Sequence, residues 1–259
     1  MDIIREYAKA YSTILENQSW CSGHFYIDAF AGAGIHISRA TGEFIPGSPL
    51  NAVTTRPPFT HYFLIDLDSA KTDHLRELTK EFGNVTVFDG DCNQVLMAEV
   101  FPRLLADKFC RALCILDPYG LHLNWNVIKT AGQSGRIEIF LNFPVADINR
   151  NALWNQPDKV KLDQAARLTA FWGDETWRTV AYDTKMDLFG HPTKTDNDTI
   201  AEAFRKRLVD VAGFKYVPQP IPMRNRSNAV VYYLFFGSPN ATGERIVKHI
   251  FKKYKDRRS

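Results

Sequence analysis

The chain has 259 residues, of which 45% are apolar and 24% are charged, which suffices for one full α/β domain and excludes two large ones. A formal net charge of +3 permits a polyanionic partner without requiring one. The four cysteines show no CxxC pair and no matched set of histidines, so neither a metal site nor a disulfide framework is indicated.

The start of the chain and its hydropathy favour a cytoplasmic protein. Residues 1–9 are charged and amphipathic rather than a signal peptide, and no apolar stretch approaches the roughly 20 residues that span a bilayer. We therefore expect a soluble, cytoplasmic protein with no membrane partner and with reduced thiols.

An amphipathic helix is predicted first. Ile3, Tyr7, Tyr11 and Ile14 recur near a spacing of 3.6 residues, which predicts a helix over residues 2–17 that packs one face on the domain. We assign residues 1–24 to this N-terminal segment.

Residues 25–145 are predicted to form a cofactor-binding core in which strands alternate with helices. The predicted strands are Phe25–Asp28, Tyr62–Asp66, Val85–Phe88, Ala112–Asp117 and Ile137–Asn142. Repeated βα units give a parallel sheet with right-handed crossovers, as in Rossmann-like domains.

Residues 146–212 are predicted to be a helical insertion without strands. Their tryptophans, Trp154, Trp172 and Trp177, are interpreted as packing residues rather than platforms for a base.

Residues 213–259 are predicted to close the domain. The strands Phe214–Val217 and Val230–Phe236 are joined without a helix, which predicts an antiparallel hairpin before a final helix. The whole chain is therefore predicted to be one domain with a seven-stranded, mostly parallel sheet and a C-terminal antiparallel hairpin.

A glycine turn follows the first strand. The strand ends at Asp28 and continues through Phe30, Ala31, Gly32 and Gly34. The two glycines allow positive φ and a close approach of a ligand to the backbone. These residues are candidates for binding a nucleotide-like cofactor.

The glycine turn is not followed directly by a helix. Residues 35–47 are predicted to form a small hairpin that turns near Thr41 and Gly42, which suggests a lid over the cofactor. Ser48 and Pro49 are then predicted to be the N-cap and first-turn proline of a helix.

Acidic side chains end three of the strands. Asp28 ends the first, Asp66 ends the second, and Asp91 with the backbone of Cys92 follows the third. An adenosyl cofactor needs an acid for its ribose hydroxyls and a polar group for its adenine, so we assign Asp66 to the ribose and Asp91 and Cys92 to the adenine amino group. Capping a helix is the alternative for each acid, although Asp68 already provides the cap after the second strand.

The segment Asp117-Pro118-Tyr119-Gly120 begins at the end of the fourth strand, and Asn142 ends the fifth. An acid beside a proline-stiffened turn can hold the proton of an amine, and a neighbouring aromatic ring can stack on a flat base. We therefore assign Asp117, Pro118, Tyr119 and Asn142 to the binding of a flat, amine-bearing substrate. A plain type I turn and a strand-exit turn are the alternatives.

Basic residues concentrate near the C-terminus. Arg245, Lys248, Lys252, Lys253 and Lys255 lie in the final predicted helix, and Arg257 and Arg258 follow it. The stripe could track phosphates, and a solvated helix face explains it equally well.

Two of the motifs resemble those of methyltransferases. The segment Tyr26–Gly34 resembles motif I of S-adenosylmethionine-dependent methyltransferases that act on nucleic acids. Asp117–Gly120 is similar to the Asp-Pro-Pro-Tyr motif of amino methyltransferases and closer to the Asp-Pro-Phe-Gly motif of tRNA guanine-N2 methyltransferases.

The joint order of the motifs resembles the three-Cys-motif partner family over nearly the full length. The segments that carry the resemblance are Tyr26–Gly34, Gly47–Leu50, Gly90–Leu96, Leu116–Leu121, Asn142–Val145, Asn149–Arg150 and Tyr232–Phe236. The resemblance implies a class I methyltransferase-like fold and a neighbouring-gene partner that resembles a radical S-adenosylmethionine enzyme.

The leading hypothesis is an enzyme that transfers a methyl group from S-adenosylmethionine to a nitrogen of a nucleobase, in nucleic acid or in a nucleotide. A non-catalytic accessory of the radical enzyme, docking through the insertion, is one alternative. A nicotinamide oxidoreductase is the other, although the third glycine of its fingerprint is missing.

Overall fold

The computed structural model describes residues 2–37, 42–153, 160–186 and 192–256. In chain order the strands are β1 (Gly23–Asp28), β2 (Ile35–Ile37), β3 (Phe44–Pro46), β4 (His61–Asp66), β5 (Val85–Asp89), β6 (Cys110–Leu116), β7 (Ile137–Phe143), β8 (Tyr182–Met186), β9 (Pro192–Lys194), β10 (Ile221–Arg224) and β11 (Val230–Gly237). The helices are α1 (Asp2–Glu16), α2 (Ser48–Val53), α3 (Ser69–Thr79), α4 (Cys92–Val95), α5 (Phe101–Ala106), α6 (Trp125–Ser134), α7 (Val145–Asn151), α8 (Leu162–Trp172), α9 (Trp177–Ala181), α10 (Asn197–Asp210) and α11 (Ala241–Asp256), and a π-helical turn, Leu96–Val100, joins α4 to α5.

Seven strands form one sheet in the order β10-β11-β7-β6-β1-β4-β5. The pairs from β7 through β5 are parallel, while β11 is antiparallel to both β7 and β10. The predicted Rossmann-like architecture, a mostly parallel sheet that ends in a C-terminal antiparallel hairpin, is confirmed.

Alternation along the strands divides the core between the two faces of the sheet. In β6, Leu113 and Ile115 belong to the cluster under α1, α2 and α11, while Ala112, Cys114 and Leu116 belong to the cluster under α6, α8 and α10. Because side chains alternate along a strand, a strand that is covered on both faces is apolar throughout. The first helix, predicted over residues 2–17, buries Ile3, Tyr7 and Tyr11 as expected.

The predicted insertion contains a strand pair as well as helices. The prediction that it has no strand is wrong, because β8 and β9 pair as an antiparallel hairpin. These two strands pair only with each other, so the pattern of the main sheet does not reveal them. Trp172 and Trp177 are buried as predicted, while Trp154 lies outside the described residues.

The strand predicted at Phe214–Val217 is also wrong. That segment makes only an isolated bridge between Tyr216 and Ser238, and β10 supplies the hairpin partner of β11 instead. Although Pro222 lacks an N–H group, it fits in β10 because that strand is the edge of the sheet.

The hairpin predicted after the glycine turn is present as the antiparallel pair β2 and β3; its turn at Thr41 lies outside the described residues.

The predicted N-cap at Ser48 is wrong by one residue. Gly47 takes that position without a side-chain bond, and Ser48 and Pro49 begin α2. The cap predicted at Asp68 is confirmed, since its side chain accepts from the Ala70 and Lys71 amides.

In the described ranges, no helix is both long enough and apolar enough to cross a membrane.

Candidate functional site

A cleft of about 600 Å³ lies where β1, β4, β5 and β6 end. Carboxyl ends of parallel strands are where open α/β sheets bind ligands. The residues that line the cleft are Ala29, Phe30, Gly32, Asp66, Leu67, Asp68, Lys71, Gly90, Asp91, Cys92, Asp117, Tyr119 and His122. None of the described residues of β2 or β3 is among them, so the lid remains a prediction.

The two glycines of the turn have different surroundings. Both have positive φ, +66° at Gly32 and +77° at Gly34. A Cβ on Gly32 would meet nothing within 4 Å, whereas one on Gly34 would lie 2.9 Å from a methyl carbon of Leu75. Gly32 therefore leaves open space beside the cleft, while Gly34 permits the turn to pack against α3.

Asp28 lies beneath the turn and does not line the cleft. Its side chain is 1% exposed; one carboxyl oxygen accepts from the Phe30 amide at 3.3 Å, and Oδ2 has no hydrogen-bond partner among the described residues. Burial raises the pKa of Asp28 to about 7, although hydrogen bonding from Ser48 and Phe30 opposes the shift. Asp28 is therefore a buried carboxyl group with unused bonding capacity.

Asp66 joins the ends of two strands. Its Oδ2 accepts from the Gly32 amide at 2.8 Å, and its Oδ1 accepts from the Asp68 amide at 3.0 Å. The Lys71 ammonium is 3.9 Å from Oδ1. A carboxylate has about four acceptor positions, so two of them remain for a ligand.

Asp91 caps α4, which is the alternative that the sequence left open. Its Oδ1 accepts from the Asn93 and Gln94 amides at 2.7 and 3.3 Å. The side chain still lines the cleft, with Oδ2 outside these two bonds. Cys92 is buried, and burial raises the pKa of its thiol to about 12, so its side chain is an unreactive thiol.

The structure brings Asp117 and Asn142 together. The Asn142 amide nitrogen donates to Asp117 Oδ1 across the ends of β6 and β7. The Asp117 side chain is open to the cleft, yet the surrounding protein desolvates its carboxyl group and raises its pKa, and the bond from Asn142 opposes the shift.

Tyr119 is a solvent-facing ring at the rim of the cleft, since 89% of the residue is exposed. Pro118 is buried beside it. Gly120 has a φ of +62°, and a Cβ there would lie 2.8 Å from Asp147 Oδ2. The turn therefore rests against α7, and Tyr119 is not a core residue. Phe143, by contrast, is fully buried.

Asn93, in α4, is bonded to the loop between β6 and α6. Its amide nitrogen donates to the His122 carbonyl at 3.1 Å, and its Oδ1 accepts from the Asn124 amide at 2.7 Å. The sequence alone does not indicate this contact, because its partners lie 29 and 31 residues away in a loop without a regular pattern. Lys71 and His122 also line the cleft. No motif in the sequence points to His122, and for Lys71 the sequence shows only that it lies three residues after Asp68, one helical turn away.

The described residues contain no group of three or more His, Cys, Asp or Glu side chains that could hold a metal ion.

In α11, the exposed basic side chains include Arg245, Lys248, Lys252 and Lys255. Lys248 pairs with Glu244, and Lys253 pairs with Glu6 of α1. Arg257 and Arg258 lie outside the described residues. Phosphate binding by this stripe remains a prediction.

The comparisons with known proteins concern the fold. No family model matches the chain, and no curated protein matches its sequence. The structure is similar to protein LPL1258 from Legionella pneumophila str. Philadelphia 1, with a TM-score of 0.59 and 14% identity over 98% of this chain and 90% of that one.

Weaker likenesses include two methyltransferases. The CurJ carbon methyltransferase has a TM-score of 0.45 and 10% identity over 93% of this chain and 54% of its own. An O-methyltransferase family protein from Burkholderia thailandensis has a TM-score of 0.36 and 14% identity over 89% of this chain and 55% of its own. Identities this low describe the fold alone, so any statement about chemistry depends on the cleft.

Proposed function

We propose that the protein is an S-adenosylmethionine-dependent methyltransferase that acts on a nitrogen of a nucleobase, in nucleic acid or in a nucleotide. The observation that carries this proposal is the pair of Asp117 and Asn142 beside the exposed ring of Tyr119, at the edge of an acidic cleft.

The charge of the cleft suits a cationic cofactor. Among the described residues that line it, the carboxylates are Asp66, Asp68, Asp91 and Asp117, and the one lysine is Lys71. An excess of carboxylates in a concave site attracts positive charge. When bound, S-adenosylmethionine supplies a methyl group on a positively charged sulfur.

Three groups of the cleft would hold this cofactor. Asp66 would accept from the ribose hydroxyls with the positions that Gly32 and Asp68 leave unused. Asp91 would accept from the adenine amino group through Oδ2. The open space beside Gly32 fits the methionine end, and Asp28, buried beneath the turn, would support that turn through the bond it accepts from the Phe30 amide.

The acceptor would bind at Asp117. An exocyclic amine can donate one N–H to this carboxylate while the base stacks on Tyr119, which directs the nitrogen lone pair toward the cleft. As the nitrogen gains a methyl group it loses a proton, and the raised pKa of Asp117 makes that carboxylate a better proton acceptor.

The same geometry disfavours a nicotinamide dinucleotide. A pyrophosphate binds at the amide groups of a helix that begins in the glycine turn. Here the turn continues into β2 and β3, and α2 begins only at Ser48.

We extend the proposal to the three-Cys-motif partner family and to a partner that resembles a radical S-adenosylmethionine enzyme. Support comes from the motifs Leu116–Leu121 and Asn142–Val145, since Asp117 and Asn142 meet at the cleft. An accessory role without catalysis, with docking through residues 146–212, is the alternative.

The test is methyl transfer from S-adenosylmethionine labelled in its methyl group to RNA, DNA and nucleotides. We expect incorporation that Asp117→Ala abolishes while cofactor affinity, measured by calorimetry, is retained. Asp89→Ala is the matched control, since Asp89 is a strand-end acid that does not line the cleft. Absence of cofactor binding, combined with co-purification of the radical enzyme, would favour the accessory role.

A further inference from the structure

A second cavity, of about 350 Å³, lies at the opposite edge of the sheet. Arg111 and Glu138, which line it, are the second residues of β6 and β7, whereas Asp117 and Asn142 stand near the far ends of these strands. The two strands are parallel and seven residues long, so roughly 20 Å separates this cavity from the cleft. The second cavity is therefore a separate site.

Helices α1 and α11 form the walls of the second cavity. Tyr7, Tyr11 and Ile14 line it, at a spacing that places them on one side of α1, and Gln18 lines it just beyond the end of that helix. The facing wall is the N-terminal part of α11, with Thr242, Gly243 and Ile246, and its approach, Pro239 and Asn240. The cavity thus has an aromatic wall on α1 and a wall of mixed polarity on α11.

A buried acid forms the floor. Glu138 is 6% exposed and accepts from the Tyr7 and Ser238 hydroxyls. A Cβ at position 243 would lie 2.6 Å from Glu138 Oε1 and 2.8 Å from the Ser238 and Tyr7 hydroxyl oxygens, so only Gly243 fits over this cluster. Burial raises the pKa of Glu138 to about 7.

The hydroxyl group of Tyr11 is buried without a partner. Tyr11 is 7% exposed, and its hydroxyl oxygen has no hydrogen-bond partner among the described residues. Native structures rarely leave such a group unsatisfied, and each instance calls for an explanation such as an absent ligand or water. The other unpartnered buried oxygen in the described ranges is Asp28 Oδ2, beneath the glycine turn of the cleft.

Two guanidinium groups line the second cavity as well. Arg111 lies over the Trp20 ring, 4.6 Å from its centroid, and donates to the Lys108 and Cys110 carbonyls. Arg136 donates to the Asp107 and Leu105 carbonyls. Neither group forms an ion pair with a carboxylate of the described ranges. The pKa of Asp107 is lowered, chiefly by hydrogen bonds from Ser22 and the Phe109 amide and in part by the charge of Arg136. Bonds to backbone carbonyls fix the position of both guanidinium groups. Each guanidinium has five N–H donors, so both retain donors that these bonds do not use.

We propose that the second cavity binds a small aromatic carboxylate that carries a hydroxyl or amino group on its ring. Arg111 and Arg136 bind the carboxylate, the ring lies along Trp20 and the aromatic wall of α1, and the ring substituent bonds to the Tyr11 hydroxyl and to Glu138. A volume near the lower end of known ligand pockets fits a molecule with one ring. This inference does not depend on the proposed methyltransferase function.

The test is calorimetric titration of the full chain with 4-hydroxybenzoate. We expect a dissociation constant on the order of 1 mM or lower, weakened about fivefold by Tyr11→Phe through the loss of one hydrogen bond. Because its hydroxyl has no partner in the protein, Tyr11→Phe should keep the melting temperature of the wild type. Arg111→Gln should weaken binding about tenfold or more, and Tyr119→Phe, at the other edge of the sheet, should not change it.

Two results would overturn the proposal. One is the absence of saturable binding at concentrations about tenfold above that constant. The other is binding that Tyr11→Phe leaves unchanged, which would mean that the hydroxyl contacts only water. If Arg111→Gln fails to fold, Tyr11→Phe decides the question alone.

Discussion

The Gly32 amide donates a hydrogen bond of 2.8 Å to Oδ2 of Asp66, so the glycine turn after β1 is tied to the end of β4. The two elements that the sequence assigned to one cofactor are therefore joined before any ligand binds. A site held in this way loses less conformational freedom on binding.

We expect Asp66→Ala to weaken S-adenosylmethionine binding about 10- to 100-fold, which is about 1.4 to 2.8 kcal/mol. The carboxylate holds the Gly32 amide, and in the proposed complex it would also accept from the ribose hydroxyls. Asp66→Asn keeps one acceptor oxygen and should show a smaller loss. Calorimetric titration measures both effects, and Asp89→Ala is the control for removing an exposed strand-end acid. Equal affinities in wild type and Asp66→Ala would remove Asp66 from the site.

The sequence predicts the sheet and the strand-end residues because both follow from local patterns. Apolar runs such as Tyr62–Ile65 indicate buried strands, and Asp66 and Asp117 follow directly at the strand ends. The sequence does not predict the bond between Asn93 and His122, which depends on how distant loops meet. It also misplaces β10, because Pro222 argues against a strand unless the edge position is known.

The two glycines of the turn should respond differently to alanine. Gly34→Ala should lower the free energy of unfolding by about 2 kcal/mol, since its Cβ meets Leu75 and its φ is +77°. Gly32→Ala should lower the free energy of unfolding by about 1 kcal/mol, because alanine disfavours a positive φ. It should also weaken cofactor binding.

Gly135→Ala is the matched control for these glycine variants. Gly135 has a φ of +62° and open space around its Cβ position, as Gly32 does, but it lies at the opposite edge of the sheet. Denaturant unfolding and calorimetry together separate the two effects. Cofactor affinity that falls equally in Gly32→Ala and Gly135→Ala would mean that backbone strain, not the cleft, is responsible.

Asn93 should act on turnover rather than on cofactor affinity. Asn93→Ala releases the His122 carbonyl and the Asn124 amide and so loosens the loop that carries Tyr119. We expect kcat to fall about tenfold, with the cofactor dissociation constant changed less than about twofold. Gln94→Ala, an exposed neighbour on the same helix, is the control. A loss of affinity that matches the loss of kcat would contradict this role.

Glu138 should make stability fall as pH rises. Its pKa is about 7 in the folded protein, whereas an unperturbed glutamate has a pKa of 4.5. The folded state therefore holds the proton more tightly than the unfolded state. The corresponding stability is complete below about pH 4.5 and is lost as pH rises through 7, by up to roughly 3 kcal/mol. Glu138→Gln should abolish that part of the pH dependence. The prediction would be refuted if the free energy of unfolding changed with pH in the same way for the wild type and Glu138→Gln between pH 5 and 8.

Asp117 should set the acidic limb of the pH profile. In the proposed reaction its ionised form would accept the proton of the amine, and desolvation by the surrounding protein raises its pKa above the usual value of 3.8. Activity should therefore rise with pH through a pKa higher than that of an exposed aspartate, because protonated Asp117 cannot accept a second proton. The profile of kcat/KM against pH reports this group in the free enzyme.

The variant Asp117→Asn tests the assignment of that limb. It retains the size of the side chain and loses the titration, so we expect kcat/KM to fall about 100-fold or more and the acidic limb to disappear. Cofactor affinity should remain, because the contacts proposed for Asp66 and Asp91 do not involve Asp117. If the acidic limb persists in Asp117→Asn, another group accepts the proton, and Asp117 then only positions the acceptor through its bond with Asn142.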